Sequence, residues 1–433
     1  MRQKARANQR RQVTLEEVTA TLLLTAVLGL FAVCVFYFPK LYILATYEDM
    51  PGEWTQVFFF GATLVLAARL VWRSRHYRVF FALLALACFY VVGEEISWGQ
   101  RLFALATPDF FQRHNLQQEL NLHNLLTGPV VTWQKRAVEV VLVTGLLGYG
   151  LVYPLVRRSS NRLAGRLADH VPVPPLYLSP YFVVAALCEV RLFSFNEAEV
   201  AELLVGMALA FLSLHYYHLF AKEGGRLHIG RGLAIAMVGV VLASLGGAGT
   251  ISWYCWQNAA IHQGIAKRFH NGNKKFAERY TRYGGWANAA LLYETVLLKE
   301  PENRQFLRSL AACYKELGDD QAFVAASGKA VRLDMAFYGR HPRHVPVNLS
   351  LSKSFRLVGN QEKARFHLNQ ALAQSRDKVL LEPYHASNFY WYGKCLEANG
   401  DDVAARRQFA RAVTMQPGSE RFRLAYQLSR HSS

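Results

Sequence analysis

The chain reads as all-α: a polytopic membrane helix bundle of about seven spans, followed by a solenoid of helical repeats. Three observations predict this. Hydrophobic residues make up 52% of the 433 and the mean hydropathy is positive, which is more apolar than an ordinary soluble protein. Stretches long and apolar enough to cross a bilayer, which takes about 17–25 residues, all lie before residue 257. Beyond about residue 265 the pattern turns polar and periodic, with Gly284, Gly318, Gly359 and Gly400 spaced 34, 41 and 41 residues apart.

The chain opens on MRQKARANQRRQ, with five Lys/Arg, inside a basic tail over 1–16. Spans are placed near 17–38, 55–72, 80–98, 134–156, 176–195, 199–221 and 233–256, within a transmembrane domain covering 17–256. The first apolar run is too long for a cleaved signal peptide and lacks a small-residue cleavage site, so it reads as a retained anchor. Orientation follows from the loops. RSRHYR (73–78), RRSSNRLAGR (157–166) and KEGGRLHIGR (222–231) are basic, whereas 39–54 and 196–202 are acidic and 99–133 is mixed. Positive-inside bias puts the amino terminus in the cytoplasm and, after seven crossings, the carboxyl-terminal part outside. The short basic tail and compact loops suggest a bacterial inner membrane with the repeats in the periplasm.

Six cysteines, Cys34, Cys88, Cys188, Cys255, Cys313 and Cys395, are scattered without a CxxC pair, so neither a zinc site nor a disulfide framework is indicated. Cys313 and Cys395 take equivalent helical positions two repeats apart, too far to bridge. In the last span Gly239, Ala243 and Gly247 form a small-residue stripe at i, i+4 and i+8, which predicts close approach of another helix. Residues 257–269 read as a linker, with HNGNKK (270–275) the flexible element before the first repeat helix.

The carboxylates are concentrated on one side. VVGEEISWGQRLF (91–103) closes the third span with Glu94 and Glu95 at its external end, and Glu94, Ser97 and Arg101 at i, i+3, i+7 would share one helical face. The external loop 112–129 adds His114, Glu119 and His123 on a segment whose alternating leucines suit the membrane surface. Glu189 and Arg191 lie at the outer end of span five, and Glu197, Glu199 and Glu202 open span six. Ionised groups near hydrocarbon are costly, so they are paired, face a cavity or serve function. Three readings stay open: a structural network, a catalytic or metal site, and an ion or substrate pathway. In the catalytic reading Glu94, Glu95, Ser97, Arg101 and His123 carry the chemistry, and Glu189, Arg191, Glu199 and Glu202 bind substrate. Glu95, His114 and His123 are the side chains that would take a divalent metal. No HExxH, GxSxG or DxD pattern selects a reaction. His215 and His218 in LHYYHLF suit the cytoplasmic interface rather than a ligand pair.

The polar half, 270–433, divides into four helix-turn-helix units and a capping segment, ERFRLAYQLSR (420–430). In the last unit Phe389, Tyr392, Gly393, Leu396, Ala405, Phe409, Ala412 and Pro417 fall in a pattern that resembles the tetratricopeptide repeat (TPR). The third unit matches through Leu351, Ser352, Phe355, Gly359, Ala364, Leu368 and Ala371, and the first through Ala277, Tyr280, Gly284, Ala289, Tyr293 and Pro301. The second departs from it: Phe323 stands where the family has alanine, and Met335 replaces the proline. The resemblance implies a stacked α-solenoid that binds a protein partner in a concave groove.

From 265 onward the chain carries 27 Lys/Arg against 15 Asp/Glu. That balance favours an acidic protein segment, an acidic glycan, or anionic headgroups of membrane lipids, and outside the cytoplasm it does not favour nucleic acid. The leading functional expectation is a cell-envelope assembly or interaction factor whose repeats dock a partner beside the Glu/His-rich membrane site. The alternative is a membrane-embedded hydrolase or transferase acting on a lipid or lipid-linked glycan at the outer leaflet. The repeats are expected to sit over the outer mouth of the bundle.

Overall fold

A computed structural model describes residues 13–429 except 48, 104, 116–119, 123–132, 160–161 and 222–228, and every regular element among them is helical. The chain divides into two compact units, one reaching Gly272 and the other beginning at Asn273.

The first unit holds α1 (Leu15–Tyr37), α2 (Pro39–Thr46), α3 (Pro51–Arg73), α4 (Arg78–Glu95), α5 (Trp133–Leu147), α6 (Ser179–Glu189), α7 (Glu197–Ala221) and α8 (Ile229–Gln257), with short turns left unlabelled. Each of the seven expected spans contains a helix, 80–98 only as far as Glu95 and 176–195 as α-helix only over Ser179–Glu189. Among the described residues five segments are long and apolar enough to cross a membrane: Leu15–Tyr37, Pro39–Arg73, Arg136–Arg158, Glu197–Phe220 and Gly230–Gln257. Helix α4 carries three charges in its 18 residues and α6 has only 11 residues.

Helix α3 is central, packing on α4, α7 and α8, while α6 joins α7 to α5. Phe59 of α3, Tyr181 and Phe182 of α6, and Leu204 and Phe211 of α7 are buried in one apolar core. The outward residues of α1, α4, α5 and α8 are also apolar. Leu22, Leu30, Leu83, Leu86, Val141, Ile235 and Leu242 are all exposed, an apolar exterior unlike that of an ordinary water-facing helix. Hydroxyls inside these helices bond backward, Thr21 Oγ1 to Glu17 O and Thr63 Oγ1 to Phe59 O, which satisfies them without water.

Two packing expectations are corrected. The Gly239–Ala243–Gly247 stripe is not a continuous contact: a Cβ on Gly239 would meet nothing within 4 Å, and Ala243 is exposed. Only Gly247 is tight, against the Phe58 ring, because Ser244 and Ala248, one position along, are the residues turned inward. Nor is there a flexible linker. Asn258 Oδ1 accepts the Ala260 N–H at 3.1 Å and starts α9 (Ala259–Arg282), a single helix that contains both 259–269 and HNGNKK. Gly272 stays helical because it packs beside Ile43 and Tyr47, where a Cβ would come within 2.9 Å.

The second unit pairs helices in sequence: the end of α9 with α10 (Trp286–Leu297), α11 (Arg304–Leu317) with α12 (Asp320–Arg340), α13 (Val345–Leu357) with α14 (Gln361–Leu381), and α15 (Ala386–Ala398) with α16 (Asp402–Met415). Helix α17 (Glu420–Leu428) follows as the cap. The four spaced glycines are the reason the pairs form. Gly284, Gly318, Gly359 and Gly400 all have φ between 73° and 87°, the left-handed conformation that only glycine adopts freely. The next residue closes the helix end: Asp319 N donates to Tyr314 O, Asn360 N to Phe355 O and Asp401 N to Leu396 O, at 2.9–3.0 Å. The side chains of Asp319, Asn360 and Asp401 then cap the following helix, so two consecutive residues end one helix and start the next.

Within each pair small residues sit at the crossing. A Cβ on Gly393 would lie 2.5 Å from the Phe409 ring, and Ala364, Ala371, Ala405 and Ala412 are buried. The second unit explains its own departure. Helices α12 and α14 are each 21 residues long, against 12 for α10 and 14 for α16. The helix-stopping prolines have moved with them. Pro301 and Pro417 come 17 residues after their glycines, and Pro342 and Pro383 come 24 after theirs. Met335 is helical because the stop is seven residues further on, and Phe323 is half-buried while Ala326 and Ala330 do the packing.

A buried histidine ties pH to stability here. His367 stacks on Phe355 with rings 8° apart, and its Nδ1 is 2.9 Å from Asn348 Oδ1. Burial, then the charge of Lys363, lowers its pKa, so the unfolded chain binds the proton more readily. Stability from this group is complete above the unfolded value of about 6.5 and is lost as pH falls below it. Thermal unfolding of the repeats is expected to start earlier at pH 5 than at pH 7.5, with the difference reduced in His367→Gln. An equal pH response in that variant would assign the effect elsewhere.

Candidate functional site

The end of the bundle where α3 and α7 begin and α4 and α6 finish collects the polar groups that the sequence singles out. Glu94 is 3% exposed, with Oε1 accepting the Trp98 indole N–H at 2.9 Å and Oε2 the Leu122 backbone N–H at 2.7 Å. The expected common face of Glu94, Ser97 and Arg101 does not form. Helix α4 stops at Glu95, and Ser97, Trp98 and Gly99 follow with φ of 46°, 51° and 87°. Three left-handed residues in a row reverse the chain, which no helical spacing anticipates. Trp98 folds back over Gly93, where a Cβ would come within 2.9 Å of its ring, and meets Phe89 edge-on. Left-handed Ser97 and Trp98 are unfavourable conformations, held by that packing and by the bond to Glu94.

The loop beyond returns to the same place. Gln100 Oε1 accepts the Leu120 N–H at 2.7 Å, and Asn115 Nδ2 donates to Asn121 O and Oδ1 at 2.8 Å. Glu94, Ser97, Asn115 and Asn121 are all buried polar groups. His114 does not join them: it is exposed, against Phe110, with Nδ1 2.9 Å from the Phe110 carbonyl. Glu119, His123 and the Arg101 side chain lie outside the described residues.

The other carboxylates do converge. Glu202 lies within electrostatic range of Glu199, Glu95, Glu189 and Glu53. Glu189 pairs with Arg191 at 3.6 Å, and Arg191 reaches Glu139 at 3.5 Å. Gln56 Nε2 donates to Glu199 O at 2.9 Å, while Glu197 accepts the Phe193 and Phe195 N–H groups and shapes the preceding loop. Nearby, Asp49 pairs with Arg268 and its N–H meets Glu53. No three of these side chains are arranged to hold a metal among the described residues. Sequence reasoning missed Glu53, Gln56 and Glu139. Alternation of antiparallel helices would have found the first two, since the start of α3 must lie level with the end of α4.

At the opposite end His215 Nδ1 is 3.1 Å from the Tyr177 hydroxyl, and His218 Nδ1 is 2.9 Å from Leu214 O. Both have structural partners.

The repeats contain a second candidate. A cavity of about 630 Å³ opens on the first helices of successive pairs, with Arg308 and Ser309 from α11, Lys353 from α13, Tyr390, Trp391 and Lys394 from α15, and Arg421 from α17. Two cations are already matched by acids: Arg308 pairs with Asp334 at 2.9 Å and Lys394 with Glu397 at 2.7 Å. Arg421 lies over Tyr390 and Trp391, 4.2 and 4.7 Å from the ring centroids. Lys353 makes no ion pair among the described residues. Burial, then Lys394 and Arg308, lowers its pKa. Glu397 acts in the other direction.

No protein-family model matches the chain, and neither does any curated protein. Among solved structures it is similar to a thermophilic TPR protein of Thermus thermophilus, at 20% identity over 38% of this chain and 82% of that one, with a TM-score of 0.23. It is also similar to MamA, at 17% identity over 37% and 81%, with a TM-score of 0.18. The helix pairs, their left-handed glycines and their small-residue crossings define a TPR-like solenoid on their own.

Proposed function

We propose that this is a membrane-anchored interaction factor of the bacterial cell envelope, whose repeats hold an acidic segment of a partner protein. The observation that carries the proposal is the groove of Arg308, Lys353, Lys394 and Arg421, with Lys353 in no ion pair among the described residues. The Tyr390 and Trp391 rings are engaged by Arg421, which disfavours stacking of a sugar and leaves charge as the main attraction. The apolar exterior of the first unit supports the anchor, and the basic loops support an extracytoplasmic solenoid.

The full chain in neutral lipid nanodiscs is expected to bind a glutamate-rich peptide, weakening as salt rises. Lys353→Glu with Lys394→Glu should reduce affinity by roughly tenfold or more, whereas Arg407→Glu, an exposed side chain of α16, should not. A neutral peptide of equal length binding as tightly, independent of salt, would show that the groove reads shape rather than charge.

A further inference from the structure

The seven-residue extensions of α12 and α14 do more than lengthen two repeats. They carry the chain about 10 Å past the ordinary repeat end, and their ends are braced by neighbouring helices. The Pro342 carbonyl accepts Asn348 Nδ2 at 2.8 Å and Gln374 Nε2 at 3.2 Å, and Asn388 Nδ2 donates to the Lys378 and Glu382 carbonyls. On this braced end Leu380, Leu381 and Tyr384 are 68%, 81% and 88% exposed, the leucines in the last turn of α14, where a solvated helix would carry polar side chains, and the tyrosine in the turn just beyond it.

Beside them is a notch of about 170 Å³ whose lining includes His344, Ser375, Lys378, Ser387, Asn388 and Trp391, with no acidic residue. Lys378, His341 and Arg304 act on His344 of the lining and Glu382 meets Asn388, and in sequence the two helix ends carry Arg340, Arg343 and Arg376 with Asp377. Aliphatic side chains and a tyrosine next to cations are the chemistry of segments that lie in a membrane interface. In the notch the Asn388 amide is taken by the Lys378 and Glu382 carbonyls and the Glu382 carboxylate, and the Ser375 hydroxyl by Leu372 O, which leaves the Lys378 ammonium and the Ser387 hydroxyl as the donors for a phosphate.

We propose that this tip docks on an anionic lipid leaflet, with Leu380, Leu381 and Tyr384 entering the headgroup layer and a lipid phosphate seated in the notch by Lys378. Basic tip and anionic surface are complementary in charge, and the proposal rests on the reading of this chain as membrane-anchored, which keeps a bilayer within reach.

A fluorophore on Tyr384→Cys tests it in the full chain. Cys34, Cys88, Cys255, Cys313 and Cys395 are buried and Cys188 half-buried, so the exposed thiol reacts first. In vesicles containing phosphatidylglycerol the emission should shift to the blue and be quenched by lipids with a headgroup-level nitroxide. Lys378→Glu together with Arg340→Glu should abolish most of that quenching, as should vesicles of phosphatidylcholine alone. A label that stays solvated in anionic vesicles overturns the proposal. So does a label already shielded in detergent in proportion to protein concentration, which would mean that a second copy covers the tip. Anchoring is scored separately by retention through an alkaline wash. A chain that washes off, but whose label was quenched beforehand, keeps the docking surface and loses the anchor.

Discussion

Asp334→Ala should unfold the middle of the repeat stack. Asp334 is fully buried, and its two oxygens meet Arg308 at 2.9 Å, Arg304 at 3.3 Å, and the Ser350 and Ser354 hydroxyls at 2.7 Å. Those partners come from α11 and α13, so one carboxylate on α12 joins two adjacent helix pairs. Removing it strands the half-buried Arg308 guanidinium beside Lys353 without its counter-charge. Losing one partner of a buried pair costs about 3–5 kcal/mol, a large part of what a domain of this size has to spare. Cys313 and Cys395 report the outcome, because both thiols are buried and react only when their repeats open. The variant should raise the Cys313 modification rate by roughly a hundredfold or more. Replacing Asp334, Arg308 and both serines together by apolar residues should recover much of the loss. A near-normal rate in Asp334→Ala would mean that apolar packing alone holds the stack.

Reporter fusions should place the 157–166 loop and the repeats on opposite sides of the membrane. Alkaline phosphatase joined after residue 429 is expected to be active and a fluorescent protein there dark, with the reverse inside 157–166. The two positions answer different questions. An odd number of crossings, five or seven, puts the repeats outside once the amino terminus is inside. The 157–166 loop is inside only if α4 crosses as well, because omitting it inverts every segment up to α6. Eighteen residues of α4 make about 27 Å of helix, close to the roughly 30 Å hydrocarbon layer. Helix α6 is shorter, and the turn at Leu176–Leu178 and the loop 190–196 extend it. The four arginines of 157–166 favour seven crossings. An active phosphatase in that loop would reduce the count to five.

What could be read from the residues was whatever depends on local backbone geometry. Gly284, Gly318, Gly359 and Gly400 announce left-handed helix ends, since few other residues tolerate them, and the 41-residue spacings already record the longer α12 and α14. The same spacing could have shown that Pro342 and Pro383 take over the stop that Met335 lacks. Long-range returns were not legible. The reversal at Ser97–Trp98–Gly99 depends on Trp98 finding Gly93 and Glu94, so extending the α4 periodicity through Arg101 gave a face that does not exist. The carboxylate cluster was half legible: its members on helix ends could be guessed and helix alternation would have added Glu53, but Glu139 comes into it only through packing. The Gly239 stripe failed for a similar reason, because spacing alone does not say which side of α8 meets α3.

The extra length in α12 and α14 also bears on how such repeats can change over time. Seven residues turn a helix through almost two full revolutions, about 20° short. The added segment therefore leaves the next loop departing at nearly its old bearing, and the following pair stacks without being re-aimed. An insertion of five would swing that departure by about 140° and detach everything beyond it. Two neighbouring repeats with the same increment keep their ends level, so a plateau can be raised on one side of the stack while the groove-lining helices keep their places. Growth in whole double turns thus lets the outer edge vary independently of the binding face.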